Sequence, residues 1–318
     1  MKENRIVDVS VIICTANRPA LLLKQLESIL SSAVQPREII IVDQGNAALT
    51  AEILDGLKES YAAIQHLLDH GRGASRARNI GWRAASCEII AFTDDDACVS
   101  DRWLQVGFQH MLAHADTGIL GGPITGVPEG GALQIDIPVE FRYILPEYSQ
   151  SGPIGPFLGG ARPPAVNYWT RKSLLLRTGG FNEKLGPVNE RKIQVYGEDS
   201  DLTHRVDALG YRIIYHPDLM VYHPVPLMRQ TEDYLKKRML TEGITNAVLW
   251  RKKEGAGRFF PLLKAIRLVA GLILSTMLQF GPRRTAWRMR GYYFRGALFG
   301  LWHYGRIMDD KINSIHKD

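Results

Sequence analysis

Asp94-Asp95-Asp96 sets three carboxylates in a row directly after the run Glu88-Ile89-Ile90-Ala91-Phe92-Thr93. A strand that ends in adjacent acids gathers negative charge at one rim of a sheet. Two carboxylates ~6 Å apart repel by roughly 3 kcal/mol at an effective dielectric of ~20. A divalent cation with oxygen ligands is the natural relief. The plain alternative is a solvated acidic turn ahead of the helical pattern that Asp101 and Trp103 open. A second acidic cluster, Glu198-Asp199-Ser200-Asp201, precedes another helical run marked by Leu202, Val206 and Leu209. There Asp199 or Ser200 could serve simply as a helix cap.

The elements that must position these acids are legible upstream. Val7–Thr15, Glu38–Val42, Ile64–Leu68 and Ile89–Thr93 read as short, β-branched strands. Between them fall a helical stripe at Leu21, Leu22, Gln25, Leu26 and Ile29 behind Pro19, a helix around Thr50–Ser60, and a helix over Ala74–Ala85. Such alternation predicts a mostly parallel α/β sheet flanked by helices. Ligands in these sheets sit at the carboxyl ends of the strands, where Thr15, Asp43 and Asp94 fall. From Gly121 to Pro164 glycine and proline predict long loops of the kind that border active sites. Patterning resumes at Val166–Trp169 and in a helix over Arg171–Arg177 that stops at Gly179-Gly180. Ile213–Tyr215 and Met220–Tyr222 are strand-like, and His223-Pro224 closes the second of them.

At 318 residues the chain has room for about two domains. Three cysteines, Cys14, Cys87 and Cys98, show no paired spacing and fit a reducing compartment. The charged Met1–Arg5 stretch runs straight into a strand pattern, without a secretory signal. Charge is distributed unevenly. The whole chain is +6, yet Gly255–Met308 alone carries nine Lys/Arg and no acid. That asymmetry marks a separate C-terminal unit, with a division expected between residues 1–226 and 227–318.

Several of these pieces stand in a telling order. They are Thr15-Ala16-Asn17-Arg18, Val42-Asp43-Gln44-Gly45, Ala74-Ser75-Arg76-Ala77-Arg78-Asn79-Ile80-Gly81, Ala91-Phe92-Thr93-Asp94-Asp95-Asp96, Gly179-Gly180-Phe181-Asn182-Glu183, Gly197-Glu198-Asp199-Ser200-Asp201-Leu202 and Tyr222-His223-Pro224. Over residues 7–225 the chain resembles the family 2 glycosyltransferases of the GT-A, Rossmann-like fold. The resemblance implies inverting transfer of a sugar from a nucleotide-diphosphate donor, most simply a UDP-sugar, to an acceptor hydroxyl. It also implies a Mn²⁺ or Mg²⁺ ion acting as Lewis acid on the diphosphate. By resemblance Asp96 is the main metal ligand, with Asp94 toward the ribose or the metal and Asp95 among the donor-binding residues. His223 matches a position that supplies a further ligand, while His216, in a similar His-Pro setting, is the decoy. Inversion needs a base opposite the leaving group, and the resemblance assigns it to Asp199, with Glu198 beside it. Asp43 resembles the residue that pairs with uracil, although Gln44 stands where the family often has a second acid. Thr15, Asn17, Arg18 and Arg78 fall at the donor side, and Arg72 and Arg76 are open to being surface charge. Asn167, Trp169 and Glu198 fall where the family lines the sugar and acceptor pocket, although a core role suits Trp169 equally.

The basic tail is the last expectation. Leu268–Phe280 is apolar for a length of about 20 Å as a helix, short of the ~30 Å a span needs. Extending it back to Phe259 brings in Pro261, Lys264 and Arg267. The segment therefore reads as a basic, aromatic helical extension lying in a membrane interface of anionic lipids, at the inner face of the cell membrane. Trp287, Tyr292, Tyr293, Phe294, Phe299, Trp302 and Tyr304 suit the headgroup layer. A packed helical domain is the other reading, and no nucleic-acid recognition motif accompanies the charge. For the whole chain, the rivals to glycosyl transfer to a lipid-linked or surface-glycan acceptor are a nucleotidyltransferase and a catalytically silent, membrane-tethered nucleotide-binding protein.

Overall fold

The fold is that of a computed structural model, which describes residues 5–57, 63–188, 193–254, 260–278 and 283–308. Two compact units emerge. One comprises residues 1–127, 146–183 and 198–224, and the other residues 128–145, 184–197 and 225–318.

The first unit is built on β1 (Arg5–Thr15), β2 (Val34–Asp43), β3 (Ile64–Leu68) and β4 (Ile89–Asp94), with α1 (Pro19–Leu30), α2 (Ala47–Leu57) and α3 (Ala74–Ala84) between them. All four strands pair in parallel, in the order β3-β2-β1-β4. The register sets Thr15 beside Asp43, Asp43 beside Leu68, and Cys14 beside Asp94. The strand-end rim expected from sequence is therefore present. The predicted helix around Thr50–Ser60 runs Ala47–Leu57, its last residues lying outside the described ones. Beyond β4 the sheet continues through β9 (Tyr168–Arg171), β6 (Thr117–Gly121), β10 (Arg212–Tyr215) and β8 (Gly155–Pro156), with β9 and β8 antiparallel to their neighbours.

Both faces are covered. Leu22, Leu26 and Ile29 of α1 are buried with Val11, Ile13 and Ile39 on one face. Fully burying each such side chain contributes about 1.5–3 kcal/mol. The other face packs Ile12, Ile40, Phe92 and Tyr168 against Trp82, Leu175 and Phe181. A smaller sheet joins β5 (Cys98–Val99), β11 (Val221–Val225) and β7 (Ile124–Pro128). His223 and Pro224, expected to close a strand at Tyr222, instead lie within β11. The 121–164 stretch, read as loop, contributes β6's last residue, β7, β8 and a 3₁₀ turn over Val139–Ile144.

The first unit also holds α4 (Trp103–Ala113), α5 (Lys172–Thr178) and α6 (Glu198–Asp207), while the second unit is helical, with α7 (Glu232–Glu254), α8 (Phe260–Met277), α9 (Arg284–Trp302) and α10 (Tyr304–Met308). Ile137, Phe141, Ile144 and Leu145 pack on Leu235, Met239, Ala286 and Met289. Leu185 and Val195 pack on Val248 and Ile307. Helices α7 and α9 meet at backbone distance. A Cβ at Gly243 would overlap the Tyr293 carbonyl oxygen, and one at Gly296 the Leu240 carbonyl oxygen. Gly296→Ala is therefore expected to cost about 1–3 kcal/mol by overpacking, read as a lowered urea midpoint. An unchanged midpoint would show that the two helices can part at no cost.

This packing corrects the expectation for the tail aromatics. Tyr293 and Phe294 join the unit's own hydrophobic clusters rather than a headgroup layer, whereas Trp302 is 86% exposed. Phe259 and Phe280, used in the sequence estimate of segment length, lie outside the described residues. Among the described residues no helix is long and apolar enough to cross a membrane.

Candidate active site

The acidic triplet is divided by its surroundings. Asp95 is buried, its Oδ2 accepting the Thr15 hydroxyl at 2.7 Å and its Oδ1 facing the Arg18 guanidinium at 3.3 Å. Burial pushes its carboxyl up to about 6, against the pull of Thr15 and Arg18. Asp95 thus anchors the turn to the end of β1, a structural role in place of the donor contact expected for it. Arg18 also reaches Asp96 at 3.4 Å.

Asp94 and Asp96 flank that anchor. The two residues of β5, three positions on, pair antiparallel with β11, Cys98 opposite Tyr222 and Val99 opposite Val221. That pairing brings His223 back to the triplet. Ligand atoms of Asp94, Asp96 and His223 lie within 4.8 Å of one another. His223 Nδ1 lies 2.9 Å from the Pro224 carbonyl oxygen, which can only accept, so Nδ1 carries a hydrogen. Nε2 faces Asp96 Oδ1, 3.3 Å away. One imidazole with two carboxylates suits Mn²⁺ or Mg²⁺. The donor set fits the metal that the sequence resemblance implies. His216, the decoy, stands elsewhere, its ring edge-on to His110 at 5.7 Å.

Arg78 ties this cluster to the second one. It projects from α3 into the interior, where its guanidinium donates to Asp94 Oδ1 at 3.1 Å and to Glu198 Oε1 at 2.9 Å. Its helix is held by Asn79, which donates to the Phe181 carbonyl at 2.9 Å and accepts the Phe181 N–H. Gly180, at φ +76°, has no room for a Cβ beside the Asn79 side chain. The Gly179-Gly180-Phe181 motif thus seats α3, and Asn79, not singled out from sequence, is its clasp.

Glu198 and Asp199 do not merely precede a helix; they form the first turn of α6 (Glu198–Asp207). Acids there are favoured by the positive end of the helix dipole. Asp199 Oδ1 accepts the Ser200 N–H at 2.6 Å and Oδ2 the Ala165 N–H at 3.3 Å. Burial and mutual repulsion push Glu198 up to about 7, with Arg78 opposing. Burial likewise raises Asp199, against the same Arg78. Asp201 turns away and pairs with Arg205 at 2.8 Å.

Other expected residues serve the frame. Asn17 adopts φ 58°, alone among the described non-glycine residues, and its Oδ1 accepts the Asn46 N–H at 2.7 Å. Asn tolerates this left-handed conformation, and the contact clips the loop after β1 to the loop after β2. The Asp43 side chain is fully enclosed, with Gly45 N–H on Oδ1 at 2.7 Å and His66 Nε2 near Oδ2 at 3.2 Å. It shapes the turn and is closed to a uracil ring. Asn167 accepts the Trp103 Nε1–H at 2.9 Å and donates to the Leu219 carbonyl, and Trp169 is wholly buried against Trp103. Neither lines a sugar pocket, because β9 runs through the middle of the sheet. One acid went unnoticed in the sequence. Asp69, just past β3, is buried and holds Arg76, Gln44 Nε2 and the Gly71 N–H. A strand-end rule applied to β3 as to β2 and β4 would have found it.

Residues 10–152 match the family model described as glycosyl transferase family 2. Over those residues the chain is similar to glycosyl transferase family 2. This glycosyltransferase is 24% identical over 245 residues to the glucosyl-dolichyl phosphate glucuronosyltransferase of Haloferax volcanii, covering 76% of this chain and 77% of that one. It is 25% identical over 305 residues to the succinoglycan biosynthesis protein ExoM of Rhizobium meliloti, covering 94% of each. Among solved structures, the mannosyltransferase PcManGT from Pyrobaculum calidifontis, in complex with GDP-Man and Mn²⁺, superposes with a TM-score of 0.59 at 20% identity, over 93% of this chain and 87% of that one. The fold is therefore the GT-A fold.

Proposed function

We propose that this glycosyltransferase is inverting and moves a sugar from a nucleotide-diphosphate donor to a hydroxyl of a lipid-linked or surface-glycan acceptor. The observation that carries the reading is the Arg78 bridge. One buried guanidinium joins Asp94, in the cation-competent cluster, to Glu198, the neighbour of Asp199. In the reaction the acceptor oxygen bonds to the anomeric carbon from the face opposite the diphosphate. The bond from that carbon to the diphosphate breaks, and its electron pair leaves with the diphosphate. The hydroxyl proton passes to Asp199, whose raised affinity for protons makes it a stronger base than an exposed aspartate. A divalent cation held by Asp94, Asp96 and His223 would supply Lewis acidity toward the departing diphosphate.

The names of the two relatives, one acting on a dolichyl-phosphate-linked sugar and one in succinoglycan biosynthesis, support an acceptor of this class. Such acceptors sit at a membrane, and the basic C-terminal segment suits work at its inner face. The test is a screen of UDP- and GDP-sugars with lipid-extract acceptors and Mn²⁺, reading nucleoside diphosphate release. Chelation should abolish release, and Asp96→Ala should lower it by about a hundredfold or more. Pyrophosphate as the product would make the protein a nucleotidyltransferase, and binding without any turnover would make it a silent nucleotide binder.

A further inference from the structure

We propose that α8 lies in the surface of an anionic phospholipid bilayer, and that the pocket beside it holds a lipid phosphate headgroup. The outer stripe of α8 is apolar and open to water. Ile266 is 56% exposed, Ile273 57% and Met277 72%, with Val269 and Leu274 alongside them. Positions three and four apart share a helix face, so these side chains make one continuous strip over residues 266–277. The opposite side is already used, since Leu268 is buried with Ala297 and Leu301 and Gly271 lies against the Phe294 ring. Folded chains seldom leave such a strip uncovered without a partner for it.

Charge chooses the partner. Residues 255–308 carry nine cationic side chains and no acid, so a second copy docking through this face would meet like charge, whereas an anionic lipid surface would be attracted. Between α8 and α9 a pocket of about 120 Å³ is lined by Arg295, Trp287, Tyr292, the hydroxyl-bearing Ser275 and Thr276, and Arg288, which also pairs with Glu232. Guanidinium matches phosphate geometry, and Trp and Tyr favour the headgroup level. The strip and the pocket belong to the same pair of helices.

This inference takes its setting from the membrane-face reading above and is independent of the transfer chemistry. The test is flotation of the full chain with vesicles of phosphatidylcholine alone or of phosphatidylcholine mixed with phosphatidylglycerol. Wild type should float with the mixed vesicles, less so at high salt. The double variant Ile273→Glu with Met277→Glu should weaken binding by about tenfold or more. Arg295→Glu should weaken it severalfold and flatten the salt dependence. Ile273→Ala, which keeps helix propensity high, gives the same direction should the glutamates disturb folding. Variants that float like wild type overturn the proposal. So does a double variant that turns a dimer into a monomer with flotation intact, since the strip would then belong to a second copy. Failed turnover with intact flotation would count against the transfer reading alone.

Discussion

Asp199→Asn is expected to lower nucleoside diphosphate release by about 10²–10⁴-fold while leaving donor binding and the fold intact, because that is the span a positioned general base contributes. Asparagine is isosteric and its oxygen can still accept the Ser200 N–H, now at 2.6 Å from Asp199 Oδ1, so the first turn of α6 should persist. The proton acceptor is lost, along with only the long 3.3 Å bond from the Ala165 N–H. Asp201→Asn provides the contrast, since Asp201 pairs with Arg205 on the far side of the same turn. It should leave the rate within a fewfold of wild type. In wild type the rate should also fall on the acid side, since burial raises the Glu198-Asp199 pair and a base works only when deprotonated. Full activity in Asp199→Asn, or equal losses in both variants, would remove Asp199 from the role of base.

Arg78→Met should destabilise the protein by about 3–5 kcal/mol at pH 8, the usual cost of stripping a buried ion network of one partner. Methionine fills similar volume but leaves Asp94, Glu198 and Asp199 without their shared cation. The pH dependence gives the prediction its sign. In wild type Glu198 is already raised from its ordinary 4.5 to about 7 despite Arg78, which pulls it down. Without Arg78 it rises further. An acid whose folded value exceeds its unfolded one binds more protons when folded, so stability is present below the unfolded value and lost as pH rises through the folded one. The variant's deficit should therefore shrink at pH 5 and be largest at pH 8, in urea unfolding at the two pH values. A deficit equal at both would mean that lost packing, not the stranded carboxylates, carries the effect.

Legibility varied by element. Strands β1 to β4 were readable because each is a short β-branched run that stops at a polar residue, and the alternation with helices fixes a parallel sheet. Strand β9 was not, since its place between β4 and β6 rests on pairing with segments about 50 to 80 residues away in sequence. That central place turned Trp169 and Asn167 from pocket candidates into core. Asp43 shows the same limit. Its position at a strand end is a local fact, but its enclosure by His66 and Gly45 comes from a neighbouring strand and a turn.

By itself the sequence determined the residue types of the chemistry, their order, and the rim on which three strands end. These follow from local periodicity and from motifs a few residues long. Tertiary structure decided which acids act together. Pairing of β5 with β11 delivers His223 to Asp94 and Asp96, and α3 sends Arg78 inward to meet both Asp94 and a glutamate 120 residues away. It also decided that the middle acid of the triplet is an anchor, because whether a carboxylate faces a ligand or a neighbouring hydroxyl depends on what the fold packs beside it.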